Sequence, residues 1–206
     1  IGHPNAMALF LLARKSQAHV SVLLSGEGAD ELFAGYRRFD NAADDADAFI
    51  RATQFHSDAR LAKLRADADV RPAIEKRRAL FLEGQGARLA NRVRYEMRTH
   101  LVDLLTRQDR MMMAHGIENR VPFLDLPLVS FARALPPRHV AGKAIVKQLA
   151  RRHFDAQFVD RRKSGFNLPI GQYFRAARFV ELMEDRLLPG MASRGLVDVG
   201  VVRRWW

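Results

Sequence analysis

The segment HVSVLLSGEGADELFAGY, residues 19–36, places three carboxylates, Glu27, Asp30 and Glu31, within five positions of a glycine turn that ends an apolar run. Glycines let a backbone approach a phosphate closely, and the Ser25 hydroxyl beside Gly26 adds a donor, so Ser25-Gly26-Glu27-Gly28 is a candidate phosphate cradle. Carboxylates repel an anion unless Mg²⁺ bridges acidic side chains to phosphate oxygens, and that bridge is the chemistry this spacing suggests. The other reading is a helix start at which Asp30 and Glu31 complement the helix dipole. Short glycine loops are common, so spacing alone leaves both readings open.

Further along, Asp109 falls four residues after Leu105 and three before Met112, which places it on the apolar face of a helix running from His100 to His115. A carboxylate on a buried stripe needs a partner, either a substrate or a structural arginine such as Arg120. Glu118 and Arg120 lie in the segment IENRVPFLD. They could face the two charged ends of an amino-acid substrate, or they could pin the loop. Asp125 is placed to cap the next helix, and Met111-Met112-Met113 to pack a core. The seven histidines are scattered, and none is spaced i, i+4 from another for a zinc pair; with no cysteine, thiolate catalysis and cysteine-ligated zinc are excluded.

The elements that must position these residues read as mostly helical. A helix is expected over Pro4 to Gln17, then a short buried strand over about 19–24, of the kind covered on both faces in a parallel sheet. Several helical stretches follow between Ala48 and Leu82, then a long helical region from Gly86 to His115 interrupted near Thr99, and a helix from Lys143 to His153. No second strand is evident, so the sheet's other strands are expected before residue 1 or in another chain. Ligands in open α/β sheets bind beyond the carboxyl ends of strands, which is where Ser25 and Gly26 stand.

At 206 residues and 48% hydrophobic content the chain can bury a core. Its longest apolar run, AMALFLLA, is far short of a membrane span, and a cytoplasmic protein without membrane association is expected. The net charge of +11 points to a polyanionic partner. Arginines are spread along the chain and nucleic-acid-binding patterns are absent, so a phosphorylated small molecule is expected rather than nucleic acid; a helical interaction or nucleic-acid-binding module remains the non-enzymatic alternative.

Four motifs in register, SGEGADELFAGY, DRMMMAHGIENRVPFLD (109–125), GKAIVKQL (142–149) and DRRKSGFNLPIG (160–171), resemble the synthetase domain of glutamine-dependent asparagine synthetases over about residues 4–176. The resemblance implies an α/β, parallel-sheet ATP-pyrophosphatase fold. It also implies ATP-dependent amidation of aspartate to asparagine through a β-aspartyl-AMP intermediate, with Mg²⁺ and glutamine-derived ammonia. By the same resemblance, Ser25, Gly26 and Lys143 meet the nucleotide's phosphates, Glu27 and Lys143 serve catalysis, and Asp30 binds Mg²⁺. Asp109, Glu118 and Arg120 become substrate contacts. Lys147 is a second basic candidate on the same helix face, and Lys163 to Phe166 is supporting structure.

The family's Ser-Gly-Gly pyrophosphate loop and its glutaminase domain with a cysteine nucleophile are not in this sequence. Residues 1–206 are therefore expected to be the C-terminal part of a synthetase domain, inactive alone, in a protein that could be a homodimer. A related amidotransferase or cyclase acting on a sugar, peptide or secondary-metabolite carboxylate is the alternative. Glu27 favours amidation, because ammonium must lose a proton before it can attack.

Overall fold

A computed structural model describes the chain except residues 1, 2, 4, 41–45, 55, 66–68, 85 and 162–167 and the side chain of Ile170. The described residues fall into two compact units, one built from residues 1–49 and 80–168, the other from 50–79 and 169–206.

The first unit opens with α1 (Ala6–Ser16), then β1 (Val22–Leu24) and the four-residue α2 (Ala29–Leu32). α3 (Ala46–Ala52) follows, with its last residues in the second unit, as do α4 (Asp58–Leu64) and most of α5 (Arg71–Leu82). The first unit resumes with α6 (Arg88–Arg98), α7 (His100–Met113), β2 (Glu118–Arg120), α8 (Leu126–Ala134), α9 (Pro137–Val140), α10 (Ala144–Ala150) and α11 (Ala156–Val159). The long helical region does break at Thr99, where φ −122° and ψ −82° leave the helix and the hydroxyl donates to the Tyr95 carbonyl at 2.7 Å.

β1 and β2 form a two-stranded parallel sheet in which Val22, Leu23 and Leu24 pair with Glu118, Asn119 and Arg120. A second strand therefore lies within this chain, correcting the expectation of none. Glu-Asn-Arg carries no strand signal, and its extended state is imposed by the ladder, which the Glu118 amide joins by donating to the Ser21 carbonyl at 2.8 Å. Burial of β1 on both faces is also corrected: Leu24 is 71% exposed and Val22 is exposed, because α1 and α7 pack against only one side.

That packing uses small residues. Ala6, Leu9 and Ala13 recur on one face of α1, and the two alanines let α7 come close enough for Met111 and Met112 to bury with Ile117 under Leu23. Met113 is exposed, so the expected methionine packing holds for two of the three. A second cluster gathers Leu32, Phe33 and Ala132 against Met97, Phe123 and Val146. A third is aromatic: Phe49 meets Phe39, Phe81 and Tyr95 with ring centroids 5.7 to 6.1 Å apart.

The second unit adds α12 (Ile170–Tyr173), α13 (Ala177–Leu182), a π-helical turn over Met183–Leu187, α14 (Leu188–Arg194) and α15 (Val199–Trp205). Asp198 links its two chain segments. Its side chain caps α15 by accepting from the Val201 amide at 3.0 Å, while its own amide donates to Leu64 at the end of α4, 2.9 Å away. Arg60 of α4 lies 4.4 Å from the Trp205 ring centroid. Among the described residues, no helix is long and apolar enough to cross a membrane.

Candidate functional site

The glycine turn leaves β1 at its carboxyl end, as open α/β sheets require of a ligand site. The Ser25 amide extends the ladder to the Arg120 carbonyl at 2.9 Å, so the turn begins only at Gly26. At Gly26 a Cβ would meet nothing within 4 Å, which leaves room beside the backbone. Gly28 is constrained twice: its φ of 87° is in the left-handed region, and a Cβ there would sit 2.5 Å from Leu124. α2 starts just after that residue, turning Glu31 inward, 1% exposed, while Glu27 and Asp30 stay half-buried.

Asp30 meets Lys143 there. The ammonium lies 2.8 Å from Asp30 Oδ1, with the two side chains 24% and 26% exposed, enough for solvent or a ligand to reach them. The backbone sets this contact. The Gly142 and Lys143 amides donate to the Ala34 and Phe33 carbonyls at 3.2 and 2.9 Å, and Ala34 and Lys143 both adopt positive φ, 49° and 61°. Non-glycine residues in that region are held at a cost of order 1 kcal/mol each by their surroundings. Gly35 makes the approach possible, since a Cβ there would lie 2.0 Å from Asp30 Oδ1 and 2.9 Å from Lys143 Cε.

Lys143 is consequently the residue before α10, outside the helix, which runs Ala144–Ala150 and not to His153. This corrects the shared helix face with Lys147: the left-handed turn points the two lysines to different partners. Lys147 sits 3.8 Å from Asp160, which Arg151 also binds at 2.8 Å.

Asp109 is exposed rather than on a buried stripe. The buried arc of α7 is Leu101, Leu104, Gln108, Met111 and Met112, and Asp109 stands about 110° from its centre at 100° per residue. Leu105, half-buried at the arc's edge, had made the apolar face look wider. Nor does Asp109 pair with Arg120. Arg120 binds Glu118 at 2.8 Å, two residues away on the same exposed face of β2, and that hydrogen bond holds the Glu118 carboxyl below its usual range. Glu118 and Arg120 thus lie on a strand, not in a loop, and engage each other. Asp125 holds the position before α8 but makes no side-chain cap bond. Lys163 to Phe166, Pro4 and residues 41–45 lie outside the described residues.

Sequence reading missed two features. Asn119, between Glu118 and Arg120, turns to the other face, and its amide reaches Ser25 Oγ at 3.4 Å. Behind α2, Tyr36 donates its hydroxyl to the buried Glu31 carboxylate, and burial, then the Glu31 charge, pushes the Tyr36 pKa up strongly. Arg38 lies 4.0 Å over the Tyr36 ring and binds Glu96 of α6 through two 2.6 Å hydrogen bonds, with Glu96 fully buried. The only available signal was a run of arginines and aromatics, which in a chain this basic singles out nothing.

For Mg²⁺, no group of three His, Asp or Glu side chains gathers among the described residues. Asp30 fits as a single hard donor, because Mg²⁺ is commonly held by one or two carboxylates together with substrate phosphates and water.

The sequence matches the asparagine synthase family across residues 1–206. A Mycobacterium tuberculosis protein provisionally named a glutamine-hydrolysing asparagine synthetase is 26% identical over 99% of this chain and 38% of its own length. Bacillus subtilis asparagine synthetase 1 is 24% identical over 85% of the chain and 35% of its own length. The asparagine synthetase of Mesocricetus auratus is 33% identical over 65% of the chain and 17% of its own length. The chain thus spans well under half the length of these relatives. With the family matched from end to end, and with a glycine turn at a strand's carboxyl end set against a carboxylate–lysine pair, this chain belongs to the asparagine synthase family.

Proposed function

We propose that this chain supplies part of the synthetase site of an ATP-dependent ligase that amidates aspartate to asparagine through β-aspartyl-AMP, using ammonia drawn from glutamine. The Asp30–Lys143 pair, assembled beside the Ser25–Gly28 turn from distant parts of the chain, carries this reading. Both groups are partly exposed, opposite in charge, and suited to different parts of a metal-bound polyphosphate.

In the proposed mechanism, Ser25 and the Gly26 backbone bind the nucleotide's phosphates. The aspartate carboxylate attacks the α-phosphorus and pyrophosphate leaves, while the Lys143 ammonium offsets charge on the phosphate oxygens. Glu27 accepts a proton from ammonium, and the ammonia formed attacks the acyl carbon, releasing AMP. Mg²⁺, with Asp30 as its donor from this chain, would neutralise phosphate charge. Asp109, Glu118 and Arg120, all exposed, are proposed to contact the amino-acid substrate.

Isotope transfer tests the reaction class. In the full-length protein carrying this chain, aspartate labelled with ¹⁸O in its side-chain carboxylate should pass one label to AMP. Label in inorganic phosphate with ADP as co-product would exclude an adenylate. Transfer from a sugar or peptide carboxylate in preference to aspartate would move the function to the alternative acceptor.

A further inference from the structure

We propose that Glu31, Tyr36, Arg38 and Glu96 form a positioning assembly that holds the Asp30–Lys143 pair in register. The inference rests on the reading of that pair as phosphate-site groups and adds the residues that place it.

α2 is one turn long, too short to hold its orientation without side-chain contacts. Asp30 and Glu31 are successive on it, so whatever fixes Glu31 also fixes the direction of Asp30. Glu31 is fixed by the Tyr36 hydroxyl, which closes the chain on itself across Phe33-Ala34-Gly35. Those residues are the ones on which Lys143 depends, through the Phe33 and Ala34 carbonyls that accept from Lys143 and Gly142 and through the Gly35 gap between the two side chains.

Tyr36 is in turn held from above. Arg38 covers its ring, and the guanidinium is locked by the two-pronged bond to Glu96, which rides on α6 and is fully buried. Phe39 stacks beside the Tyr36 ring at 6.4 Å, and His100 meets its edge at 5.7 Å. Glu96 on α6 is thereby tied through Arg38, Tyr36 and Glu31 to the turn that carries Asp30 and receives Lys143. A planar bidentate guanidinium stacked on a ring is needed for this; a lysine ammonium offers neither feature.

The test uses the full-length protein carrying this chain, with Tyr36→Phe, which removes only the hydroxyl, and Arg38→Lys, which keeps the charge. Lysine is labelled with ¹³C at Cε, the Lys143 signal is assigned by its loss in Lys143→Met, and Asp30→Asn shows where that signal lies once the pair is broken. The proposal expects both variants to shift the Lys143 signal toward the Asp30→Asn position. It also expects kcat for ammonia-dependent pyrophosphate release to fall roughly 10- to 100-fold with little change in KM for ATP, the scale of loss for an ångström-level misplacement. A Lys143 signal unmoved in both variants, even with Tm lowered, overturns the proposal and leaves a purely structural network. A signal that moves while turnover stays normal supports the positioning assembly and instead refutes the phosphate-site reading of the pair.

Discussion

Lys143 holds a backbone conformation that only glycine adopts easily, and it does so facing a carboxylate across the gap that Gly35 leaves. In the proposed reaction phosphate charge builds as the carboxylate attacks ATP, so a fixed cation should matter more in the transition state than in substrate binding. Lys143→Met should therefore lower kcat by about 10²-fold or more while KM for ATP changes little. Lys147→Met removes the same charge from a lysine engaged with Asp160, and its activity should stay near wild type. Equal, modest losses in the two variants would reduce Lys143 to one contributor to a general positive field. Glu27→Gln keeps size and hydrogen bonding but cannot take a proton; pyrophosphate exchange should persist while asparagine formation drops by roughly 10² to 10⁴. Normal ammonia-dependent turnover in that variant would remove Glu27 from catalysis. At this scale the sequence showed types but not partners. Glu27 and Asp30 stood out by their place after a strand, whereas Lys143 emerged only through a family motif, since nothing local distinguishes a lysine that will meet an acid from the far side of the fold. Asp109 misled because an i, i+4 leucine at the edge of the buried arc looks the same in sequence as one at its centre.

Among the elements, the helices were legible because their periodicity is local, and the break near Thr99 was visible as an interruption of that pattern. β2 was not: three polar residues become a strand only because β1 offers a parallel ladder, and that pairing crosses most of the first unit. The junction of α6 and α7 carries a testable consequence. His100, packed on Tyr36, has its pKa lowered first by burial and then by Arg38, with Glu96, Glu31 and Asp103 opposing. A lowered folded-state value means the unfolded chain binds the proton first. His100's contribution to stability is thus fully present above the ordinary histidine value of about 6.5 and is lost as pH falls below it. His3, lowered by burial and Arg107, acts with the same sign and remains in a His100 variant. Denaturant midpoints measured between pH 8 and pH 5 should fall less steeply toward acid in His100→Gln than in wild type. Parallel curves would show that His100 protonates equally well in the folded chain.

For the molecule as a whole, composition bounded size and charge but gave no sign of two compact units, because the second is assembled from segments on either side of residues 80–168, which belong to the first. Its joint is Asp198, which caps α15 with its side chain and binds the end of α4 with its amide. Both tryptophans of the chain, Trp205 and Trp206, lie in this unit, and Arg60 covers the first. Replacing an aspartate cap by alanine costs about 1 kcal/mol, a factor of roughly five in an opening equilibrium. If the units open independently, Asp198→Ala should speed amide exchange about fivefold in α15 near Val202. Exchange in α6 and α7, which lie in the first unit with the Asp30–Lys143 pair, should keep its wild-type rate. Exchange resolved by peptide mass spectrometry distinguishes the cases. Acceleration confined to the second unit marks it as a separate cooperative block, so that surface changes there leave the site intact. An equal acceleration in both units would mean that the chain opens as one, and that every stability change in the second unit also reaches the site.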